Sequence, residues 1–442
     1  MAVSISHSGL PFEKREEIIK ELTLNAKGAK SSGYGPRVAT MTAYDIQDDK
    51  FILPLMWSRK KFNLKGMRKA HDVRYERLPV KWREGQGEVF DEAIGYLREE
   101  GSVFLQLHCG YGKTFLSLQL IAALGVRTMI LVHRTFLGEQ FLTEAENVIP
   151  GQLTFIKDND VEFDPDKKAY ICTDQRALKL PEEFIKTIDL IVIDEAKYWC
   201  TPSRLEALLK FRPIYTMGLC AERKRKDGFD LLLDMFFGKN IFRKSIKPFT
   251  VWNYHTDFQP TIERPKYGPA RINWSLAMKS IAEMTERNEM IRDICRLRAR
   301  NKIMILVSFI YHIDALYGLL KEAGEDVDTF CGNKTSFKNC RILIATYSKA
   351  EMGFDDKNLC EDFDGERINL LILGSFYKKE IEQSAGRVMR TDAPEIISIV
   401  DDMPTLKKHS KTHNKWFKSR NGTVMDPEFL FDIKRKHPIA EN

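Results

Sequence analysis

The sequence predicts an α/β protein: two doubly wound parallel-sheet domains in tandem, preceded by a small accessory unit. Five short apolar runs, Ser102–Leu107, Thr128–Val132, Ala169–Thr173, Asp189–Ile193 and Ile214–Gly218, alternate with amphipathic stretches of helical length. Near-continuous apolar strands are what a parallel sheet covered on both faces requires. The alternation restarts after residue 300 with Lys302–Val307, Arg341–Ala345, Ile368–Leu373 and Glu395–Val400. Between the two series, Tyr254 to Pro269 is rich in proline and polar residues, the composition of a linker or insertion. The expected division is an accessory unit over 1–77, a first sheet domain over 78–253, a linker over 254–275, a second sheet domain over 276–402 and a basic extension over 403–442. A helix is expected from Ser275 to Arg300.

The accessory unit reads as α+β, because short apolar runs at Val38–Met41 and Phe51–Met56 are separated by polar turns. The 442 residues suit two domains with cores of their own. No apolar run reaches membrane-spanning length, and the N-terminus lacks a basic region followed by an apolar core, so a soluble intracellular protein without membrane contact is expected. The eight cysteines form no C-x-x-C pair and read as reduced thiols packed like small apolar residues.

Net charge is +7, from 69 Lys and Arg against 62 Asp and Glu, and its distribution is uneven. Basic clusters occur at Arg59–Lys69, Arg223–Lys226 and Lys407–Lys436, with Trp57, Phe62, Trp416 and Phe417 interleaved. Such clusters either track a phosphate backbone and stack on bases or form a solvated surface.

The chemistry begins at Leu107-His-Cys-Gly-Tyr-Gly-Lys-Thr114, between the strand Ser102–Leu107 and the helical pattern Phe115–Ala123. Strand, turn and helix are the context a phosphate cradle needs. Gly110 and Gly112 let the backbone turn tightly around Tyr111, so that amide N–H groups and a helix N-terminus point at an anion. Lys113 would neutralise the β- and γ-phosphates and Thr114 would ligate Mg²⁺. The full pattern wants glycine at position 107, where the chain has leucine.

Roughly eighty residues later, Asp189–Ile193 runs into Asp194-Glu195. Ligands of parallel sheets bind at the carboxyl ends of strands, which makes Asp194 the candidate metal carboxylate and Glu195 the candidate base for an attacking water. In Gln383-Ser-Ala-Gly-Arg-Val-Met-Arg390, Arg387 and Arg390 are three apart and would share a helix face. Guanidinium groups offered to a γ-phosphate accelerate its transfer by about 10³ to 10⁵. Taken without the other motifs, the pair reads rather as surface arginines capping a helix.

The ordered set resembles a superfamily 2 helicase core, of the DEAD/H-box-like kind, from about Leu78 to Val400. The resemblance implies two RecA-like domains, ATP and Mg²⁺ as cofactors and a nucleic-acid track. It assigns Gln86 in Val80–Gln86 to adenine, and Gly353 and Asp355 in Ile344–Asp355 to the nucleotide. Gln383, Arg387 and Arg390 join Lys113 and Glu195 in catalysis. Arg134 in Val132–Thr135, Gln175 in Cys172–Gln175 and Thr346 hold a strand's phosphates, and Leu306–Phe309 matches a further motif. Phe258–Pro260, Trp274, Arg287-Asn288 and the basic C-terminal extension are similar to the helicases of large cytoplasmic DNA viruses, among them the poxvirus transcript-release helicase. That likeness implies action on single-stranded or branched DNA, 3′-to-5′, in viral transcription termination, replication or recombination. It also implies transcription or replication partners and a place in the host cytoplasm or the virion.

The chain departs from the pattern twice. Cys220-Ala-Glu222 stands where Ser-Ala-Thr is usual, and Lys197 replaces the usual histidine or aspartate after Glu-Ala. A thiol donates weakly and a carboxylate accepts, so the departure either weakens coupling or is compensated by a basic neighbour of Glu222. Alternatives are an RNA helicase, a duplex-remodelling translocase that does not separate strands, a nucleotide-gated nucleic-acid clamp and a phosphate-loop kinase.

Overall fold

The computed structural model describes residues 1–26, 40–64, 69–108, 110–157, 167–243, 248–261, 273–351, 354–375 and 381–425. The chain divides into two units, residues 1–243 and 244–442. The tandem doubly wound architecture expected from the apolar runs is present, with an all-parallel seven-stranded sheet among the described residues of each unit.

The first unit opens with β1 (Ala2–Ser6), β2 (Thr23–Asn25), β3 (Thr40–Thr42), β4 (Asp45–Gln47) and β5 (Lys50–Pro54). These pair antiparallel as β1-β5-β4 and β2-β3. Its main sheet contains β6 (Ser102–Leu107), β7 (Thr128–Val132), β8 (Leu153–Phe155), β9 (Ala169–Thr173), β10 (Leu190–Ile193), β11 (Tyr215–Cys220) and β12 (Lys239–Arg243), in the order β12-β6-β11-β10-β7-β9-β8. Successive side chains of a strand point to opposite faces, and this sheet buries both. Val103, Leu105, Ile130 and Val192 pack with the helices Gln86–Glu100 and Lys113–Leu124. Phe104, Met129, Leu131 and Ile191 pack on the other side with the helix Pro202–Lys210 and with Met1, Phe51 and Leu53.

The small N-terminal strand unit expected from the sequence is present, and it packs on one face of this sheet and shares its core. Ala2 N–H donates to Phe211 O at 2.9 Å, and the Arg59 guanidinium spans Glu100 O at 2.7 Å and Ile214 O at 3.2 Å. Lys61 is bound by Glu17 and Glu21, each at 2.7 Å. Arg59 and Lys61 thus serve the fold, whereas Lys65 and Arg68 lie outside the described residues.

The second unit contains β13 (Phe249–His255), β14 (Ile303–Val307), β15 (Val327–Phe330), β16 (Ile342–Thr346), β17 (Leu370–Leu373), β18 (Glu395–Val400) and β19 (Gly422–Met425), in the order β15-β16-β14-β17-β18-β13-β19. Two expected boundaries move. β13 straddles the expected end of the first domain at 253 and the linker, yet it pairs with β18 and β19 in the second sheet. The expected extension supplies the helix Pro404–Ser419 and the edge strand β19. Both strands find partners more than a hundred residues away, which local pattern does not display. The helix expected over 275–300 is two helices, Trp274–Glu283 and Thr285–Leu297, parted at the extended residue Met284.

One ion pair fixes the second helix. Arg287 is fully buried, and its guanidinium meets both oxygens of Asp401 at 2.7 and 3.0 Å and Gly374 O at 2.7 Å. Thr256 Oγ1 donates to the same carboxylate at 3.1 Å. This joins the helix to the segments following β17, β18 and β13. Removing one member leaves a buried charge unpaired, at a cost of about 3–5 kcal/mol. Arg287→Met is expected to lower the calorimetric unfolding temperature of the second unit, and Arg287→Met with Asp401→Leu to recover most of the loss. Equal losses in the single and double variants would contradict this account.

Candidate nucleotide and nucleic-acid site

Parallel pairing places the carboxyl ends of β6, β11 and β10 side by side, with β11 in the middle. The phosphate-cradle loop follows β6, Cys220-Ala-Glu222 follows β11, and Asp194-Glu195 follows β10. Gly110 (φ 83°) and Gly112 (φ 95°) adopt left-handed backbone, and a Cβ on Gly112 would stand 2.6 Å from Gln86 Nε2. Glycine is thus needed at 112 for both conformation and space. The helix Lys113–Leu124 begins there, so its first N–H groups face the loop. Leu107, where the motif wants glycine, is the buried last residue of β6, and its carbonyl accepts from Lys113 Nζ at 3.1 Å.

Gln86 is buried, accepts from Arg83 N–H at 2.9 Å and donates to Tyr111 O at 2.6 Å. Tyr111 Oη donates to Gly85 O at 2.9 Å. Both carboxamide atoms of Gln86 therefore bind protein groups, tying the preceding helix to the cradle. Trp82, four residues earlier, has no role in the sequence reading. It packs on Phe90 and Phe115, 5.1 and 5.7 Å between centroids, and leaves 38% of its surface exposed beside Gln86.

Asp194 is buried immediately after β10. Burial first, then the adjacent Glu195, push its carboxyl up to about 7, against the opposing Lys113 ammonium. Glu195 has left-handed backbone (φ 47°, ψ 51°), which costs a non-glycine residue about 1–2 kcal/mol. Its carboxylate lies 3.9 Å from Cys220 Sγ. Among the described residues no group of three or more His, Cys, Asp and Glu surrounds a metal position. The chemistry fits Mg²⁺ nonetheless, because that ion takes one or two protein oxygens and fills its octahedron with water and phosphate. Thr114 and Asp194 are the donors such a site would use.

The two departures from the helicase pattern meet each other. Lys197 Nζ pairs with Glu222 Oε2 at 3.2 Å, both partly buried, and Arg225 donates to Lys197 O at 2.7 Å. The Cys220 thiol, raised well above its usual range by burial and then by Glu195, stays protonated and donates to Glu222 O at 2.7 Å. In the same run Arg223 pairs with Asp234 and Arg225 with Asp227, leaving Lys224 and Lys226 exposed.

Arg134 and Gln175 lie at the same sheet edge, after β7 and β9, and both are exposed. Their sequence neighbours His133 and Asp174 are linked to the acid loop. His133 stacks on Tyr198 at 4.9 Å and is lowered to about 4, chiefly by burial, so it is neutral near pH 7. Arg204 bridges Tyr198 O at 2.6 Å and Asp174 at 2.5 Å, next to Gln175. Tyr198 itself follows Asp194-Glu195 by three residues, a link that short-range sequence signals do not carry.

In the second unit, Thr346 ends β16, with Oγ1 3.1 Å from Ser348 Oγ. Asp355 caps the helix Asp356–Leu359 and pairs with Arg390 at 2.8 Å and Arg367 at 3.3 Å. Arg387 is nine-tenths buried and donates to Phe354 O at 2.7 Å. The expected single helix face is absent: the helix Glu382–Ala385 ends before Gly386, and a 3₁₀ turn holds Val388–Arg390. Gly353 and the Gln383 side chain lie outside the described residues.

The desolvated Asp194 yields a stability prediction. Its folded-state pKa lies above the unfolded value, so the native state loses stability as pH rises from about 4 through about 7. Asp194→Asn is expected to raise the thermal midpoint, more at pH 8 than at pH 5. The difference is on the order of a few kcal/mol, since tenfold in proton affinity is worth about 1.4 kcal/mol. A gain independent of pH would contradict the desolvation.

Residues 79–225 match the family model for the type III restriction enzyme, res subunit. A protein of Frog virus 3 (isolate Goorha), named as a candidate helicase, is 27% identical over 384 residues, covering 85% of this chain and 86% of its own. A protein of Acanthamoeba polyphaga mimivirus, named as a candidate ATP-dependent RNA helicase, is 23% identical, with 96% of this chain and 86% of the relative covered. S. cerevisiae Dbp5, solved bound to RNA and ADP BeF3, matches with a TM-score of 0.52 at 12% identity, over 79% of this chain and 92% of that one. That last likeness concerns the fold alone. Motif order and two all-parallel sheets resemble the superfamily 2 helicases, and over most of its length the chain is similar to proteins of large DNA viruses that are named as helicases.

Proposed function

We propose that the chain hydrolyses Mg·ATP to drive movement along a DNA strand, 3′-to-5′ by resemblance, in viral transcription termination, replication or recombination. One observation carries the reading: the cradle of Lys113, the desolvated Asp194 and the strained Glu195 lie on loops two strands apart at one sheet edge. Gln86 and Trp82 would border the adenine. The Gly110–Gly112 backbone and Lys113 would bind phosphates, and Glu195 would take the proton of the attacking water. Mg²⁺, held by Thr114 and Asp194, would supply charge neutralisation at the phosphates. The resemblance also assigns Gly353, Asp355, Gln383, Arg387 and Arg390 of the second unit to nucleotide chemistry, Arg390 being paired with Asp355 at 2.8 Å.

Arg134, Gln175 and Thr346 would hold the strand's phosphates, so binding is sequence-tolerant and salt-sensitive. The Lys197–Glu222 pair takes the place of the missing hydroxyl pair as the link between hydrolysis and strand movement. Its presence favours a motor over a nucleotide-gated clamp. The RNA helicase name of the mimivirus relative keeps RNA as the second reading.

Steady-state ATP hydrolysis by the full chain, alone and with single-stranded DNA, duplex DNA and RNA, tests this directly. Stimulation is expected, largest with DNA. Lys113→Ala is expected to abolish turnover, and Glu195→Gln to reduce it about 10²- to 10⁴-fold while nucleotide still binds. Absence of hydrolysis with every nucleic acid would overturn the motor, and stimulation by RNA alone would assign the second reading.

A further inference from the structure

The helix Pro404–Ser419 carries a feature that the proposed motor does not use. Lys408, Lys411, Lys415 and Lys418 are all exposed, and their spacing of three, four and three residues sets them on one face. Leu406, Ser410 and Phe417 occupy the buried face, with Phe417 packed edge-on to Phe249 of β13 at 6.1 Å. The helix is followed by β19, which pairs with β13, so the stripe is anchored to the sheet.

Residues 403–425 contain no aspartate or glutamate. Lys407 is held by Asp402 at 2.6 Å, whereas the four stripe lysines have no carboxylate partner among the described residues. Like charges three and four apart destabilise a helix. Lys408/Lys411, Lys411/Lys415 and Lys415/Lys418 each bear that cost, which an anionic occupant would reverse.

We infer that this stripe is a second nucleic-acid contact, docking the phosphate backbone of a duplex, separate from the track that contains Thr346. Ten residues of helix set the outer lysines about 15 Å apart along a straight line, a span that meets several phosphates of a duplex carrying one charge per about 1.7 Å of axis. Single-strand surfaces add aromatic platforms for bases. Here Phe417 is buried and Trp416 is half-buried under Arg420, so the stripe offers charge without stacking. β19, beside this helix, is the edge strand opposite β15, five strands from Thr346 on β16. At about 4.8 Å per strand that is a separation of about 24 Å.

The inference rests on the proposed nucleic-acid function, and one experiment separates the two. Binding of the full chain to blunt duplex DNA, single-stranded DNA and polyglutamate is measured across a salt series, for the wild type and for Lys408→Gln, Lys411→Gln, Lys415→Gln and Lys418→Gln combined. Glutamine keeps helix propensity and removes the repulsion, so a thermal midpoint no lower than wild type verifies the fold. The variant is expected to lose duplex affinity about tenfold or more at low salt. Its slope of log K against log salt is expected to flatten by about 2–4, close to 0.9 per lost phosphate contact, with single-strand binding retained. Unchanged duplex affinity and slope would overturn the stripe as a duplex contact, as would equal loss on single strands or loss confined to polyglutamate. Failure of the wild type to bind any nucleic acid would instead overturn the proposed function.

Discussion

Parallel pairing of β6, β11 and β10 forces three loops, far apart in the chain, onto one edge within two strand spacings. The remaining site features depend on that closeness. Asp194 is deprived of water because β10 is central and the following turn is buried, and its ionisation is further opposed by the neighbouring Glu195. Lys113, from the loop two strands away, opposes that shift. The left-handed backbone at Glu195 adds strain, the pattern expected where surrounding structure holds a working group in place. Stability is given up at these positions to keep a carboxylate pair beside a phosphate cradle.

The same edge extends to β7 and β9, and the link between its halves is physical. Tyr198 stacks on His133 and accepts from Arg204, which in turn holds Asp174 beside Gln175. A shift of the acid loop would therefore be felt at both candidate strand-contact segments. Cys220-Ala-Glu222 enters the network through Glu195 and Lys197. The altered residues at 197 and 222 are best understood together, since an ammonium and a carboxylate can span what two hydroxyls otherwise would.

Much of this was legible in the sequence because buried parallel strands announce themselves as short apolar runs. β6, β7, β9 and β18 have the expected bounds, and the cradle and acid pair follow their strands as the spacing implied. The failures share a cause. β13 and β19 are strands because of distant partners, and the apolar face of the small N-terminal strand unit is covered by the sheet rather than by neighbours in sequence. Periodicity describes a segment's own faces and is silent about which neighbour covers them. The helix face expected for Arg387 and Arg390 is absent because the helix ends at Ala385, and Gly386 and Arg387 part it from the 3₁₀ turn. The pairing of Lys197 with Glu222 was open from sequence, because opposite charges twenty-five residues apart meet only once strand order is known.

The central claim is that hydrolysis is coupled to strand movement through Lys197 and Glu222. The most direct measurement is the number of ATP molecules consumed per strand displaced from a tailed duplex by the wild type, Lys197→Glu, Glu222→Lys and the charge-exchanged double variant. The account predicts that each single change raises that ratio and that the exchange brings it back toward wild type, as a pairwise interaction requires. A ratio unchanged in both single variants, or losses that simply add in the double, would contradict it.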